Sequence, residues 1–118
     1  MEITAKLEGT VMIISLVGNL DAATASQVTE FFTRQLQEGH VNLVADFSQL
    51  AYLSSVGLRV LLTAVKEARR QGGDVRLAAI RSDEVHKVLR MSGFSNIFKV
   101  YPDTSMAFAS FAAQTGSV

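Results

Sequence analysis

The sequence predicts an α/β fold in which a mixed, mostly parallel sheet begins with an N-terminal hairpin and carries about four helices. Short apolar runs alternate along the chain with segments whose apolar residues recur every three or four positions. The first two runs are separated only by three residues that include the turn signal Glu8-Gly9, whereas each later run follows a helical segment. The expected order of elements is therefore β-β-α-β-α-β-α-β-α, because strands joined through helices pair in parallel.

The first part of the chain supplies the hairpin, the first helix and a buried strand. Glu2–Leu7 and Val11–Val17 form the predicted hairpin. A helix is expected between Asp21 and Glu38, and the Asp21 side chain is the expected cap of its first turn. The apolar face of this helix comprises Val28, Phe31, Phe32 and Leu36. Val41–Phe47 follows as a buried strand, because it is short, largely apolar and closely followed by a helical pattern.

The second part of the chain continues the alternation. A short loop leads to a helix that begins near Ser55 and stops at Gly72-Gly73. We expect one domain over residues 1–118, with a loose tail at 113–118. The remaining elements are a strand at Val75–Ile80, a short helix started by Ser82 and ended by Gly93, a strand at Ile97–Val100, and a helix opened by Pro102, Asp103 and Thr104 that runs through Phe108 and Phe111.

Composition narrows the possible functions. Eleven Lys and Arg residues balance eleven Asp and Glu residues, so no overall field attracts nucleic acid, and no nucleic-acid partner is expected. The chain has no cysteine and only two distant histidines, His40 and His86, so we expect no metal and no cofactor. The apolar runs are shorter than the ~20 residues of a spanning helix, and the N-terminus lacks the pattern of a signal peptide. These features predict a cytoplasmic protein without membrane insertion.

The stretch Asp46–Leu62 is the strongest candidate for a functional site, because it runs from the end of a strand to the start of a helix. Ser54 and Ser55 stand at the helix entrance, where unpaired backbone N–H groups and the helix dipole favour an anion such as phosphate. From the pattern alone, an ordinary N-cap is the favoured explanation of these serines. Gly57 is explained either by close packing or by the approach of a partner to Ser55.

Three further features occur in order along the chain. They are Gly18-Asn19-Leu20-Asp21, then Asp46-Phe47-Ser48 with Tyr52-Leu53-Ser54-Ser55-Val56-Gly57-Leu58, and finally Ser92-Gly93 with Ile97-Phe98. Together they resemble the STAS domain, and in particular the anti-sigma factor antagonists, over nearly the whole chain. Many members of that family have Asp at the position of Ser54 and a small residue at the position of Val56.

The resemblance implies a protein that is switched by phosphorylation. The family's phosphorylated serine falls on Ser55, and Ser54 is a second candidate because it replaces the usual Asp. The implied partners are an anti-sigma factor that is also a serine kinase and binds the unphosphorylated chain, and a phosphatase that restores the serine. The phosphate adds about −1.5 to −2 charges to the docking face. The residues implied in partner binding are Asp21, Ser54, Ser55, Val56, Gly57 and Arg59.

Arg59 lies one helical turn beyond Ser55 and has two explanations. It is either a partner for the phosphate or an ordinary solvated residue. Two explanations also apply to the apolar residues Phe108 and Phe111: they either join two copies of the chain or belong to its core. A monomer or weak dimer is therefore expected.

Two other classes of function are compatible with parts of the sequence. The first is a constitutive subunit of a lipid-transport ABC assembly, because the small soluble component of such assemblies resembles a STAS domain. A subunit of this kind needs no modified serine. An enzyme is not expected: Asp21 and Asp46 are two carboxylates that border one surface if their strand ends cluster, but no nucleophile, base and orienting group accompany them. The chain also lacks dinucleotide-binding and P-loop motifs, so a nucleotide sensor rests only on the anion site at the helix entrance.

Overall fold

A computed structural model describes residues 1–94 and 96–115 of the chain. Within these residues the chain forms six strands and four helices. The strands are β1 (Glu2–Glu8), β2 (Val11–Leu20), β3 (Asn42–Asp46), β4 (Leu50–Leu53), β5 (Asp74–Ala78) and β6 (Val100–Tyr101), and the helices are α1 (Ala25–Gln37), α2 (Ser55–Arg70), α3 (Asp83–Met91) and α4 (Thr104–Thr115).

The six strands form one mixed sheet. β1 and β2 are an antiparallel hairpin in which Glu2 lies opposite Val17 and Glu8 lies opposite Val11. β3 is parallel to β2, β5 to β3 and β6 to β5, so the order across the sheet is β1-β2-β3-β5-β6. The predicted α/β fold, with a mostly parallel sheet, an N-terminal hairpin and four helices, is confirmed.

The strand β4 takes the place of part of the loop expected before α2. β3 pairs with the first half of β2, as far as Asp46 opposite Ser15, and β4 pairs in parallel with the second half, where Leu53 lies opposite Leu20. β3 and β4 therefore follow one another along the same neighbour. The segment is only four residues long and its buried residues, Leu50 and Leu53, are three apart, so the sequence shows no period of two there and a loop was expected.

Helices cover both faces of the sheet. α1, α2 and α3 pack over the larger core, which includes Leu43, whereas α4 packs over a smaller cluster that includes Val44 and Phe111. Leu43 and Val44 are neighbours in β3 and point to opposite faces, because strand side chains alternate. Phe111 is buried and Phe108 packs against the same cluster, so both residues belong to the core under α4.

A buried ion pair within β5 also contacts α4. The Arg76 side chain is buried, and it donates to Asp74 Oδ2 at 3.0 Å and to Ser110 Oγ at 2.7 Å. Its guanidinium carbon lies 4.0 Å from the centre of the Phe111 ring. Arg69 of α2 donates to the other carboxylate oxygen of Asp74 at 2.9 Å. Removal of one member of such a group leaves an uncompensated buried charge, so the contacts hold α4 against the sheet.

The expected cap of α1 by Asp21 is wrong. The helix begins at Ala25, with Thr24 at the N-cap position, three residues beyond Asp21. The Asp21 side chain instead closes the turn before the helix, since its Oδ1 accepts hydrogen bonds from the backbone N–H groups of Ala23 and Thr24 at 3.0 and 3.3 Å. A short acidic side chain favours this local turn geometry as readily as a helix cap.

The elements of the last third are found in the expected order with shifted ends. Ser82 caps α3 as predicted, because its hydroxyl accepts the Val85 backbone N–H at 3.3 Å. The last strand lies at Val100–Tyr101 rather than at Ile97–Val100. Helix α4 continues to Thr115, so it includes the first three residues of the expected tail, and residues 116–118 lie outside the described part of the chain.

Candidate functional site

Ser54 joins β4 to α2 and caps the helix. Its Oγ accepts a hydrogen bond from the Gly57 backbone N–H at 3.1 Å, and its own backbone N–H donates to the carbonyl oxygen of Leu20 at 3.0 Å. An N-cap of this type contributes about 1 kcal/mol to stability. The Ser54 hydroxyl is half-buried and already accepts a hydrogen bond, so the N-cap explanation holds for this serine.

Ser55 is the first residue of α2 and is exposed. The backbone N–H groups in the first turn of a helix have no partners within the helix, and the positive end of the helix dipole lies beside them. A phosphate on the Ser55 hydroxyl would therefore lie in a favourable field. Ser55 is exposed at this location, so another protein can reach its hydroxyl, whereas Ser54 is only partly exposed.

Gly57 allows the start of α2 to approach the end of β2. A β-carbon added at Gly57 would lie 2.5 Å from the carbonyl oxygen of Leu20 and 2.8 Å from Leu20 Cγ. Both distances are far inside van der Waals contact. Close packing therefore explains this glycine, and a contribution to the approach of a partner stays a prediction.

An open groove of about 340 Å³ lies beside the helix entrance, between α2 and α3. Two of its lining side chains are unusually exposed for apolar residues: Tyr52 is 42% exposed and Met91 is 75% exposed. The neighbouring Val56 is 46% exposed. Clustered exposed apolar side chains are typical of a protein interaction surface. We call Tyr52, Ser54, Ser55, Val56, Lys87 and Met91 the helix-entrance surface.

The groove beside Ser55 has a cationic lining. Among the described residues that line the groove, Lys87 of α3 alone carries a charge. Arg59 lies one turn beyond Ser55 on α2, and both cationic side chains are exposed. Neither of them forms an ion pair with any described residue. The nearby carboxylate of Asp21 follows Leu20 directly and is engaged by the turn before α1.

The two carboxylates expected to border one surface are separated by the topology. Asp46 lies opposite Ser15 in the middle of β2, and its Oδ2 accepts a hydrogen bond from Ser15 Oγ at 2.9 Å. Asp21 lies six residues beyond Ser15 in the direction of β2, which corresponds to a distance of about 20 Å at ~3.3 Å per residue. The strand ends therefore do not cluster, so the condition under which Asp21 and Asp46 would border one surface is not met, because β4 extends the row of strands beyond the end of β3.

The structure brings most of the predicted site residues together. Ser54, Ser55, Val56 and Gly57 form one turn, and the contact of this turn with Leu20 places it beside Asp21. The contributions of Lys87 and Met91 were not predicted, because they depend on how α3 packs against β4. The Ser92-Gly93 motif, which ends α3, was the sequence signal closest to them.

Two classes of feature are absent from the described part of the chain. None of its helices has both the length and the apolar character needed to cross a membrane. Within the same residues, no three side chains of the His, Cys, Asp or Glu type come together as a metal site.

Comparisons with known proteins assign the chain to a family. Residues 2–107 match the family model described as the STAS domain. The chain is 34% identical to BtrV of Bordetella bronchiseptica over 106 residues, or 90% of each protein, and 32% identical to the anti-sigma-B factor antagonist of Listeria monocytogenes over 88 residues, or 74% of this chain and 75% of the relative. The solved structure of the Bacillus cell fate determinant SpoIIAA in its phosphorylated form is similar with a TM-score of 0.72 and 19% identity, over 93% of this chain and 99% of that one. The chain belongs to the STAS domain family.

Proposed function

We propose that the chain is an anti-sigma factor antagonist, a regulatory binding protein of the cytoplasm rather than an enzyme. In its unmodified form it binds an anti-sigma factor that is also a serine kinase, and this binding frees a sigma factor. The observation that carries the proposal is the exposed Ser55 at the start of α2, beside exposed apolar side chains. The name of the Listeria relative, an anti-sigma-B factor antagonist, supports the same function.

The proposed modification is the transfer of a phosphoryl group from ATP to Ser55. The Ser55 Oγ attacks the γ-phosphorus, the Oγ–P bond forms as the bond from that phosphorus to the ADP oxygen breaks, and the hydroxyl proton passes to a base of the kinase. A phosphatase restores the serine by directing water at the same phosphorus, which releases inorganic phosphate. The solved phosphorylated form of SpoIIAA supports such a cycle for a protein of similar fold.

Ser55 is favoured over Ser54 as the phosphate acceptor for a geometric reason. The Ser54 Oγ is half-buried and accepts the Gly57 backbone N–H, so its attack on ATP would require the first turn of α2 to lose its cap. The exposed Ser55 hydroxyl makes no such contribution to the helix. Phosphorylation of Ser55 therefore leaves the fold intact and changes only the surface.

The phosphate turns binding off through charge and hydration. It adds about −1.5 to −2 charges to the helix-entrance surface. A partner that covers the exposed Tyr52, Val56 and Met91 side chains would have to remove water from this dianion, and the removal of water from a charged group is costly. We therefore expect the phosphorylated chain to leave the kinase.

The acceptor is tested by incubation of the chain with its cognate kinase and ATP, followed by peptide mapping with mass spectrometry. We expect the phosphate on Ser55, its loss in Ser55→Ala, and its retention in Ser54→Asn. Asparagine caps a helix about as well as serine does but has no hydroxyl, so this control preserves the first turn of α2.

Phosphate found only at positions other than 54 and 55 would reject the proposed switch. Co-purification of the chain with a transport ATPase, without any modification of Ser55, would instead support a constitutive subunit of a lipid-transport assembly. Calorimetry with nucleotides tests the remaining alternative, a nucleotide sensor, and we expect no binding.

A further inference from the structure

We propose that Lys87 and Arg59 form a shared cation site at the helix-entrance surface. While Ser55 is unmodified, these side chains pair with acidic side chains of the partner, and after phosphorylation they pair with the phosphate on the same chain. This inference rests on the proposed function and extends it to the chemistry of the partner: acidic residues placed beside an apolar anchor.

The position of Lys87 is the first support. Lys87 and Ser55 line the same groove from different helices, α3 and α2. No acidic side chain occurs among the described residues that line this groove. The ammonium group of a lysine is carried on a flexible four-carbon stem, so it can follow either a partner's carboxylate or a phosphate attached to Ser55.

Arg59 supplies a second cation from the same helix as Ser55. Residues four apart lie on one face of a helix, and side chains lean toward the helix N-terminus, so the Arg59 side chain is able to reach back toward Ser55. Its guanidinium can donate two parallel hydrogen bonds to a phosphate or a carboxylate. Lys87 and Arg59 thus belong to two different helices, α3 and α2, that both border Ser55.

Both cations are available for new partners. Elsewhere on α2 the exposed Arg70 donates to Glu67 at 2.9 Å, but Arg59 and Lys87 form no ion pair with a described residue. The nearest carboxylates in the described part of the chain are Asp21 after β2, Asp83 and Glu84 one turn before Lys87 on α3, and Glu30 and Glu67 on α1 and α2, and none of them forms an ion pair with Lys87 or Arg59. Asp21 is engaged by its own turn.

The apolar part of the surface defines the rest of the partner. Tyr52 and Met91 line the groove that contains Lys87, and both are strongly exposed. A methionine side chain adapts its shape to an apolar group, whereas charged pairs at the rim set orientation and the rate of encounter. The matching segment of the partner therefore carries an apolar side chain for the groove and carboxylates for Lys87 and Arg59.

The shared site gives phosphorylation a second effect besides repulsion. A phosphate on Ser55 is always beside Lys87 and Arg59, so it competes with the partner at a high effective concentration. The partner then loses its cationic contacts at the same moment that it meets the new negative charge. A chain without these cations should discriminate less between the two states of Ser55.

The intramolecular contact is tested without any kinase, on the full chain with phosphoserine incorporated at position 55 during synthesis. The phosphate titration is followed by ³¹P NMR in wild type, Lys87→Gln, Arg59→Gln and the double variant. Because cations favour the dianion, we expect the second pKa of the phosphate to be lower in wild type than in the double variant by about 0.3 to 0.5. Lys66→Gln, at an exposed position near the end of α2, is the matched control and should leave the titration unchanged.

The partner contact is tested by the affinity of the unmodified variants for the kinase, measured over a range of salt concentrations. Lys87→Gln and Arg59→Gln should each weaken binding about two- to fivefold and reduce its salt dependence, while Lys66→Gln should not. The ratio of unmodified to phosphorylated affinity should also fall in the double variant.

The two proposals fail in different ways. Identical phosphate titrations in wild type and the double variant, or unchanged affinity in both single variants, would overturn the shared cation site while leaving the phosphorylation of Ser55 intact. A kinase that binds the wild-type chain but never modifies Ser55 would refute the switch. The ³¹P result would still establish or overturn the cation contact.

Discussion

Replacement of Gly57 by alanine should destabilise the chain by about 2 kcal/mol, although alanine is the better helix former. The helix preference favours alanine over glycine by ~1 kcal/mol. Against this, the new β-carbon would lie 2.5 Å from the Leu20 carbonyl oxygen and 2.8 Å from Leu20 Cγ. Overpacking of this kind typically costs 1–3 kcal/mol, or about 2 kcal/mol at the centre of that range.

The same carbonyl oxygen accepts the Ser54 backbone N–H at 3.0 Å, so any movement that relieves the overlap weakens this hydrogen bond as well. Loss of one such bond costs about 1 kcal/mol. The steric and hydrogen-bond costs together exceed the gain in helix preference by about 2 kcal/mol, which corresponds to a decrease in Tm of about 8 °C for a domain of this size.

Urea denaturation of Gly57→Ala and wild type measures this difference. We expect a lower midpoint with an unchanged slope, because the variant exposes the same surface on unfolding. Ser55→Ala is the control, since it introduces the same residue in the same helical turn at an exposed position and should change stability by at most ~0.5 kcal/mol. A Gly57→Ala variant as stable as wild type would refute the close approach of α2 to Leu20.

Three further predictions concern the same helix. Ser54→Ala should lower stability by about 1 kcal/mol in thermal denaturation, because the cap of α2 is lost, and Ser54→Asn should not. Ser55→Asp should weaken kinase binding much more than Ser55→Ala in calorimetry; equal affinities would contradict a charge mechanism. Hydrogen bonds from Arg70 and then Gln71 lower the pKa of Glu67 from 4.5 to about 2. The ion pair of Glu67 with Arg70 should therefore stabilise the fold fully above pH 4.5, and this contribution should be lost as the pH falls through about 2. NMR titration of Glu67 measures its pKa, which Arg70→Gln should raise.

Local patterns were sufficient to predict most of the fold. The Glu8-Gly9 pair marks the hairpin because the runs on both sides of it are apolar, and Gly72 follows α2 with a φ of 90°, which favours glycine. The apolar positions Leu58, Leu61, Val65 and Ala68 of α2 recur with the helical period and are buried. Each of these signals lies within a few residues of the element that it defines.

The parts that were not predicted depend on contacts between distant segments. Leu50 and Leu53 form a strand because β2 extends beyond the end of β3 and leaves a free edge for them. The same extension separates Asp46 from Asp21, although both stand at the ends of apolar runs in the sequence. Lys87 enters the site only because α3 packs against β4. No pattern in the sequence around residue 87 indicates that α3 packs against β4.

The division of one row of the sheet between β3 and β4 makes the short connection at residues 47–49 a spacer of defined length. Leu50 and Leu53 are both buried, and β4 pairs with β2 through an irregular register between Gly18 and Asn19, so one inserted residue would take these leucines out of their places in the core or force the whole segment to slide along β2. Either outcome would displace the hydroxyl that follows β4. The length of this spacer therefore sets where Ser54 and Ser55 stand relative to Leu20 at the end of β2.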